Sequence, residues 1–209
     1  MIDLYTWTTP NGRKVSILLE ELGVPYTAHA IDITKDEQFA PDFLKIAPNN
    51  RIPAIVDHDT GIQMMETGAI LMYLADKYGQ FQCDGDEYWR MVEWLMWQMG
   101  SAPYLGGGFG HFYAYAPFKF EYAIDRFAME VKRQLDVLDR NLAERTYMAG
   151  DAYTIADMAI WPWVSRFEWQ EIDLTQYPNV LRWYLDIAAR PAVQRGYHIP
   201  KYVSDIPMP

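Results

Sequence analysis

The 209-residue chain is predicted to fold as a mixed-sheet α/β domain followed by an all-helical one. Three observations carry this. The first 78 residues read strand–helix–strand and then strand–strand–helix. A polar, glycine-bearing stretch over 79–86 interrupts the pattern. After Gly79 every periodic segment has helical spacing, with no alternation of the strand kind. The expected division is 1–78, a linker over 79–86, and a helical domain over 87–209.

Ile2 to Tyr5 is a short apolar run stopped by Thr-Trp-Thr-Thr-Pro and reads as a strand. Asn11 to Leu22 carries Val15, Leu18, Leu19 and Leu22 at helical spacing, and Gly23-Val24-Pro25 ends it. Tyr26 to Ile33 alternates as a second strand, which makes a βαβ unit with a right-handed crossover. Phe39 to Ile46 reads as a short helix or irregular turn, broken at Pro48-Asn49-Asn50. Ile52 to Asp57 is a strand with proline near its start, and Ile62 to Met65 returns antiparallel after His58-Asp59-Thr60-Gly61. Glu66 to Tyr78 places Ile70, Leu71, Leu74 and Tyr78 on one helical face. The later helices are Glu87 to Met99, Tyr122 to Leu142, Thr154 to Trp169 and Val180 to Ala189.

Composition excludes several classes. Half the residues are hydrophobic and 15% aromatic, which argues against disorder. The formal charge of −10, without a long basic run, argues against nucleic acid and anionic membrane as partners. No stretch approaches a membrane span, and the N-terminus lacks the basic and apolar regions of a signal peptide. Cys83 is the single cysteine, so no internal disulfide and no cysteine-based metal cluster can form. That usage fits a reducing compartment, and a cytoplasmic location and no metal are expected.

Four segments have the residue types of a binding site. Thr8-Thr9-Pro10-Asn11-Gly12 lies between a strand and a helix, where free N–H groups and partial positive charge stabilise an anion such as a thiolate. The same residues are ordinary helix caps. In Asn50-Arg51-Ile52-Pro53, a cis bond before Pro53 would present the Ile52 backbone to an extended peptide. Glu66-Thr67-Gly68 opens a helix: its carboxylate can cap or accept a ligand ammonium, while Thr67 and the helix N–H groups hold a ligand carboxylate. Thr154-Ile155-Ala156-Asp157 has the form of a capping box and belongs to folding.

In order and spacing these pieces resemble the cytosolic glutathione transferases, and within them the bacterial Nu class of disulfide-bond oxidoreductase-like enzymes. The resemblance runs over nearly the whole chain. It is carried by Tyr5 with Thr9 to Gly12, Gln38-Phe39, Pro48 to Ala54, Glu66 to Leu71, Gly106 to Tyr113, Glu121 to Phe127, and Ala149-Gly150-Asp151 leading to Ile160 to Trp163. It implies an α/β thioredoxin-like N-terminal domain with a four-stranded mixed sheet, an all-α C-terminal domain, and a homodimer. Glutathione would be the co-substrate, supplying the reactive thiolate to a small disulfide or hydrophobic electrophile. Thr9 and Asn11 would face its sulfur. Gln38, Arg51 and the Ile52 backbone would hold the glycyl and cysteinyl parts, and Glu66 and Thr67 the γ-glutamyl end. Tyr122 and Arg126 resemble residues that bind a second glutathione or the neighbouring subunit's ligand.

Free thiols have a pKa near 8.5, so a site that donates hydrogen bonds to sulfur raises the thiolate fraction at neutral pH. Tyr104, Phe109, Phe112, Tyr113 and Trp163 are candidates for an acceptor pocket, with core packing as the alternative for each. His111 is a candidate acid–base group, although a lone histidine is more often structural, and Cys83 is expected to be incidental. Disulfide reduction, conjugation or ether cleavage of an aromatic electrophile, and non-catalytic glutathione or protein binding all remain open.

Overall fold

The structure is a computed structural model that describes residues 1–101 and 104–209. The chain divides into one unit of Met1–Gln80 with Ala188–Ile206, and another of Phe81–Ile187 with Pro207–Pro209.

The first unit is a four-stranded sheet with its helices. β1 (Ile2–Thr6) leads into α1 (Pro10–Leu22) and β2 (Tyr26–Ala30); α2 (Pro41–Ile46) precedes the hairpin of β3 (Ala54–Asp57) and β4 (Ile62–Met65); α3 (Thr67–Tyr78) follows. The strand order is β2-β1-β3-β4. β1 runs parallel to β2, and the β1–β3 and β3–β4 pairs are antiparallel. The parallel pair follows from the helical crossover and the antiparallel pair from the short turn. In β1, Ile2, Leu4 and Thr6 are buried while Asp3 and Tyr5 are half-buried, the period of two that one covered face demands. β2 ends at Ala30, short of Ile33, because Asp32 turns the chain by accepting the Thr34 N–H at 3.0 Å.

The C-terminal residues of the first unit pack on α1. In α9 (Pro191–Tyr197), an added Cβ at Gly196 would lie 2.7 Å from the Ile17 backbone, so only glycine permits this approach. Ser16 donates to the Gly196 carbonyl at 2.7 Å, and the Arg13 guanidinium lies over the Tyr197 ring at 3.5 Å. Sequence spacing assigned these residues to the helical part and left α9 without an element. The missing signal is tertiary: a seven-residue helix has too short a period to read.

The second unit holds α4 (Gly85–Ser101), α5 (Gly107–Gly110), α6 (Glu121–Leu142), α7 (Ile155–Val164) and most of α8 (Pro178–Ala188). All of α7 except Trp163 is buried. The capping box is formed, with Thr154 at the N-cap and Asp157 as its partner. Asp157 also accepts from the Met148 N–H and the Trp183 indole, both at 2.9 Å. Burial nevertheless outweighs these bonds and pushes its carboxyl up. α7 stops at Val164, short of Trp169, where Ser165 caps it and a 3₁₀ turn at Glu168–Gln170 takes over. His111–Tyr115 forms a π turn directly after α5. Among the described residues no helix is long and apolar enough to cross a membrane.

The turn end of the β3–β4 hairpin is tied to α3 by a charged network. The buried Asp57 carboxylate accepts from Tyr73 at 2.6 Å, Lys77 at 2.5 Å and the Asp59 N–H at 2.9 Å. Burial alone would raise the Asp57 carboxyl; Lys77, Tyr73 and the Asp59 N–H outweigh it and hold the value at about 2. The folded value lies below the ordinary 3.8, so this stabilisation is complete above about pH 4 and is lost as pH falls through about 2. Asp57→Asn is expected to lower stability at neutral pH by about 1–3 kcal/mol. It should also flatten the acid decline between about pH 4 and pH 2. Denaturant titrations across that range read both effects, and an unchanged acid decline would contradict the network's role.

Candidate functional site

The turn from β1 into α1 is fixed by a close approach. A Cβ on Gly12 would stand 2.2 Å from the Trp7 carbonyl and 2.5 Å from Thr6 Oγ1. Glycine is therefore required for α1 to start against the end of β1. Thr9 is extended (φ −115°) and its hydroxyl oxygen accepts the Gly12 N–H at 3.2 Å, with Pro10 in the first turn. Asn11 is the half-buried polar residue of that turn.

Two further segments converge with it. The Ile52–Pro53 bond is cis, as the sequence pattern suggested, and Pro53 is buried at the head of β3. Glu66 links β4 to α3 with φ +73° and ψ +115°, a conformation that costs a non-glycine residue about 1–3 kcal/mol. Its carboxylate is steadied by the Asn49 amide, which donates to Glu66 Oε1 at 3.4 Å. The α3 helix then starts at Thr67, which is buried.

Together these elements line a cleft of about 240 Å³ formed by Asn11, Asn49, Arg51, Ile52, Pro53, Met65, Glu66 and Thr67. The cleft holds one exposed guanidinium, one exposed carboxylate, a hydroxyl and two amides, together with the starts of α1 and α3. Such a set suits a peptide-sized ligand that carries both an ammonium and carboxylates. Five residues singled out in the sequence thus meet: Asn11, Arg51, Ile52, Glu66 and Thr67. Asn49 and Met65 join them without having been assigned a role. Asn49 was legible as the neighbour of Arg51, whereas Met65 read only as strand.

The other named residues lie elsewhere. Thr9 does not line the cleft; it caps α1 two residues before Asn11. Gln38 sits on the 3₁₀ turn Glu37–Phe39, with Nε2 3.5 Å from Asp36 Oδ1 and a buried Oε1 that accepts no hydrogen bond. Tyr5 stacks on His29 with ring centres 4.7 Å apart, and burial raises its hydroxyl pKa. The remainder belong to the second unit. Tyr122 and Arg126 are exposed, one turn apart on α6, with Arg126 3.8 Å from Glu130. Tyr104 and Phe112, both half-buried, pack on Phe127 with ring centres 5.2 Å and 5.0 Å away. Phe109 is a core residue, 2% exposed, beside half-buried Tyr113. Trp163 is the one residue of α7 that is not buried, and it lies beside Gly107. His111 is exposed. Cys83 is half-buried, and its thiol is pushed up by burial and by the charges of Glu87, Asp157 and Asp84.

A thioredoxin-like sheet with a cis-proline strand and a cleft lined by a guanidinium, a carboxylate, a hydroxyl and amides, followed by a helical unit, defines the glutathione transferase class of fold. The chain belongs to that family: residues 1–76 match the glutathione S-transferase N-terminal domain and residues 121–186 its C-terminal domain. It is 48% identical to the disulfide-bond oxidoreductase YghU of Escherichia coli K12, over 93% of this chain and 73% of that protein. It is 44% identical to the disulfide-bond oxidoreductase YfcG of the same organism, over 92% of each. Among solved structures, a glutathione transferase from Burkholderia graminis with two glutathione molecules bound per subunit superposes with a TM-score of 0.91. That protein is 40% identical, over 97% of this chain and 89% of its own.

Glu66→Ala should weaken glutathione binding by about ten- to a hundredfold, the cost of one charged hydrogen-bond partner. The fold should be little affected, since the Glu66 side chain is exposed. Titration calorimetry with a parallel thermal melt checks this; an unchanged affinity would remove Glu66 from the site.

Proposed function

We propose that the chain is a glutathione-dependent disulfide-bond reductase in which the protein contributes the site and not the sulfur. One observation carries this reading. The strand-to-helix turn that borders the cleft is Thr9-Pro10-Asn11-Gly12, without a cysteine, while the chain's one cysteine, Cys83, lies in the other unit with its thiol pushed up. The names of YghU and YfcG, and the glutathione held by the Burkholderia protein, support the same reading.

Glutathione, when bound, supplies a thiol whose ionised form is the nucleophile toward a disulfide sulfur. The chain's own groups bind and orient. The Asn11 amide donates to the sulfur, and the positive end of the α1 dipole favours its anion. Thr9 accepts from Gly12, which leaves its own hydroxyl proton to be donated outward. Arg51, the Ile52 backbone and Gln38 hold the glycyl and cysteinyl parts. Glu66 takes the γ-glutamyl ammonium and Thr67 its carboxylate. Tyr122 and Arg126 serve a second glutathione or the ligand of a neighbouring subunit.

A second reading, conjugation or ether cleavage of a hydrophobic electrophile, is favoured by the half-buried aromatic group of Tyr104, Phe112, Tyr113 and Trp163 in the helical unit. In either case we infer a cytoplasmic homodimer. Trp89 and Met96 on α4 are 69% and 48% exposed. The same helix contributes Trp94 and Trp97 to a groove of about 320 Å³. Apolar surface of this kind is rarely left to water, and sedimentation velocity distinguishes dimer from monomer.

In a glutathione-dependent disulfide assay, Thr9→Ala and Asn11→Ala should each lower turnover by about ten- to a hundredfold. Cys83→Ser should leave turnover nearly unchanged. A dead Cys83→Ser enzyme beside active Thr9→Ala and Asn11→Ala variants would overturn the mechanism.

A further inference from the structure

Lys14 lies on the second turn of α1 and is almost wholly buried, at 1% exposure. Burying an ammonium costs several kcal/mol unless other groups compensate it. Burial accordingly draws the Lys14 value down to about 7, while the Glu66 carboxylate pushes it back up. Lys14 is not a wall of the cleft; it lies behind one. Its Nζ is 3.5 Å from Oγ1 of Thr67, at the outer limit of a hydrogen bond, and Thr67 does line the cleft.

We propose that Lys14 is a positioning residue that makes this site selective for the α-carboxylate of the ligand's amino-acid end. The inference rests on the reading above, in which Glu66 and Thr67 receive the γ-glutamyl group. A threonine hydroxyl has one proton and two acceptor positions. A Lys14 N–H directed at Oγ1 occupies an acceptor position and polarises the hydroxyl, which strengthens it as a donor toward a ligand carboxylate. In its protonated form Lys14 adds positive charge behind that hydroxyl, on the same side as the partial charge at the start of α3. Glu66 supplies the matching negative charge for the ligand ammonium. Lys14 and Glu66 thus present opposite charges to the two groups on a single α-carbon.

The test is calorimetric and uses three ligands: glutathione, γ-aminobutyryl-cysteinylglycine, which lacks the α-carboxylate, and glutaryl-cysteinylglycine, which lacks the α-amino group. The unaltered protein should bind each truncated ligand about ten- to a hundredfold more weakly than glutathione. Lys14→Met should abolish most of the penalty for the missing carboxylate and keep the penalty for the missing amine. A purely structural lysine would give a different result: a variant that weakens all three ligands in proportion, or loses both penalties alike, overturns the proposal. So does Lys14→Met with the full carboxylate penalty intact. Should circular dichroism show Lys14→Met unfolded, Lys14→Gln takes its place, filling similar space with a neutral donor. Its carboxylate penalty should fall below that of the unaltered protein, and an undiminished penalty overturns the proposal. If the unaltered protein binds glutathione but shows no carboxylate penalty, the assignment of the γ-glutamyl end to Glu66 and Thr67 fails, and the role of Lys14 with it.

Discussion

The approach of Gly12 to the Trp7 carbonyl is the contact from which the cleft is built. A side chain there would collide at 2.2 Å, so α1 starts hard against the end of β1 only because residue 12 is glycine. That start fixes three things together: Thr9 at the cap, Asn11 in the first turn, and the positive end of the α1 dipole beside them. Two turns along, the same helix is clasped by α9 through a second glycine contact, Gly196 on Ile17, and through Ser16 and Arg13. The helix is thus held at its start and along its middle.

The other side of the cleft depends on backbone geometry that the sheet enforces. Ile52–Pro53 opens β3, and Glu66 takes a left-handed φ at the end of β4, so the Arg51–Ile52 segment and the start of α3 meet. The resulting charges are paired by purpose. Glu66 and Arg51 are exposed, whereas Lys14 is buried behind Thr67. In a low-dielectric interior a hydrogen bond aimed at a charged ligand is stronger than the same bond in water.

Much of this was legible in the sequence because it rests on local rules. A short apolar run marks β1, the proline-headed run marks β3, and Thr-Ile-Ala-Asp marks the cap of α7. The Glu66-Thr67 pair was readable because its two side chains suit the two charges of an amino acid. What sequence spacing did not reveal depends on distant partners. The α9 helix exists by virtue of its contact with α1. The π turn at His111–Tyr115 breaks helical spacing in a way no period announces. Lys14 sits four residues before Leu18, on the buried side of α1, yet a lysine in an amphipathic helix ordinarily reads as solvated. Phe109 and Trp163 shared one expectation as pocket walls, but only burial distinguishes them, one closed in the core and the other half-open.

The claim beneath all of this is that the protein activates a sulfur it does not own. The ionisation of glutathione in complex with the protein measures that claim directly, through the ultraviolet absorbance of the thiolate titrated against pH. Donors at the α1 N-terminus should lower the thiol pKa of bound glutathione by at least about one unit from the ordinary value near 8.5. Asn11→Ala should return part of that shift. A bound thiol that titrates like the free one would contradict the account.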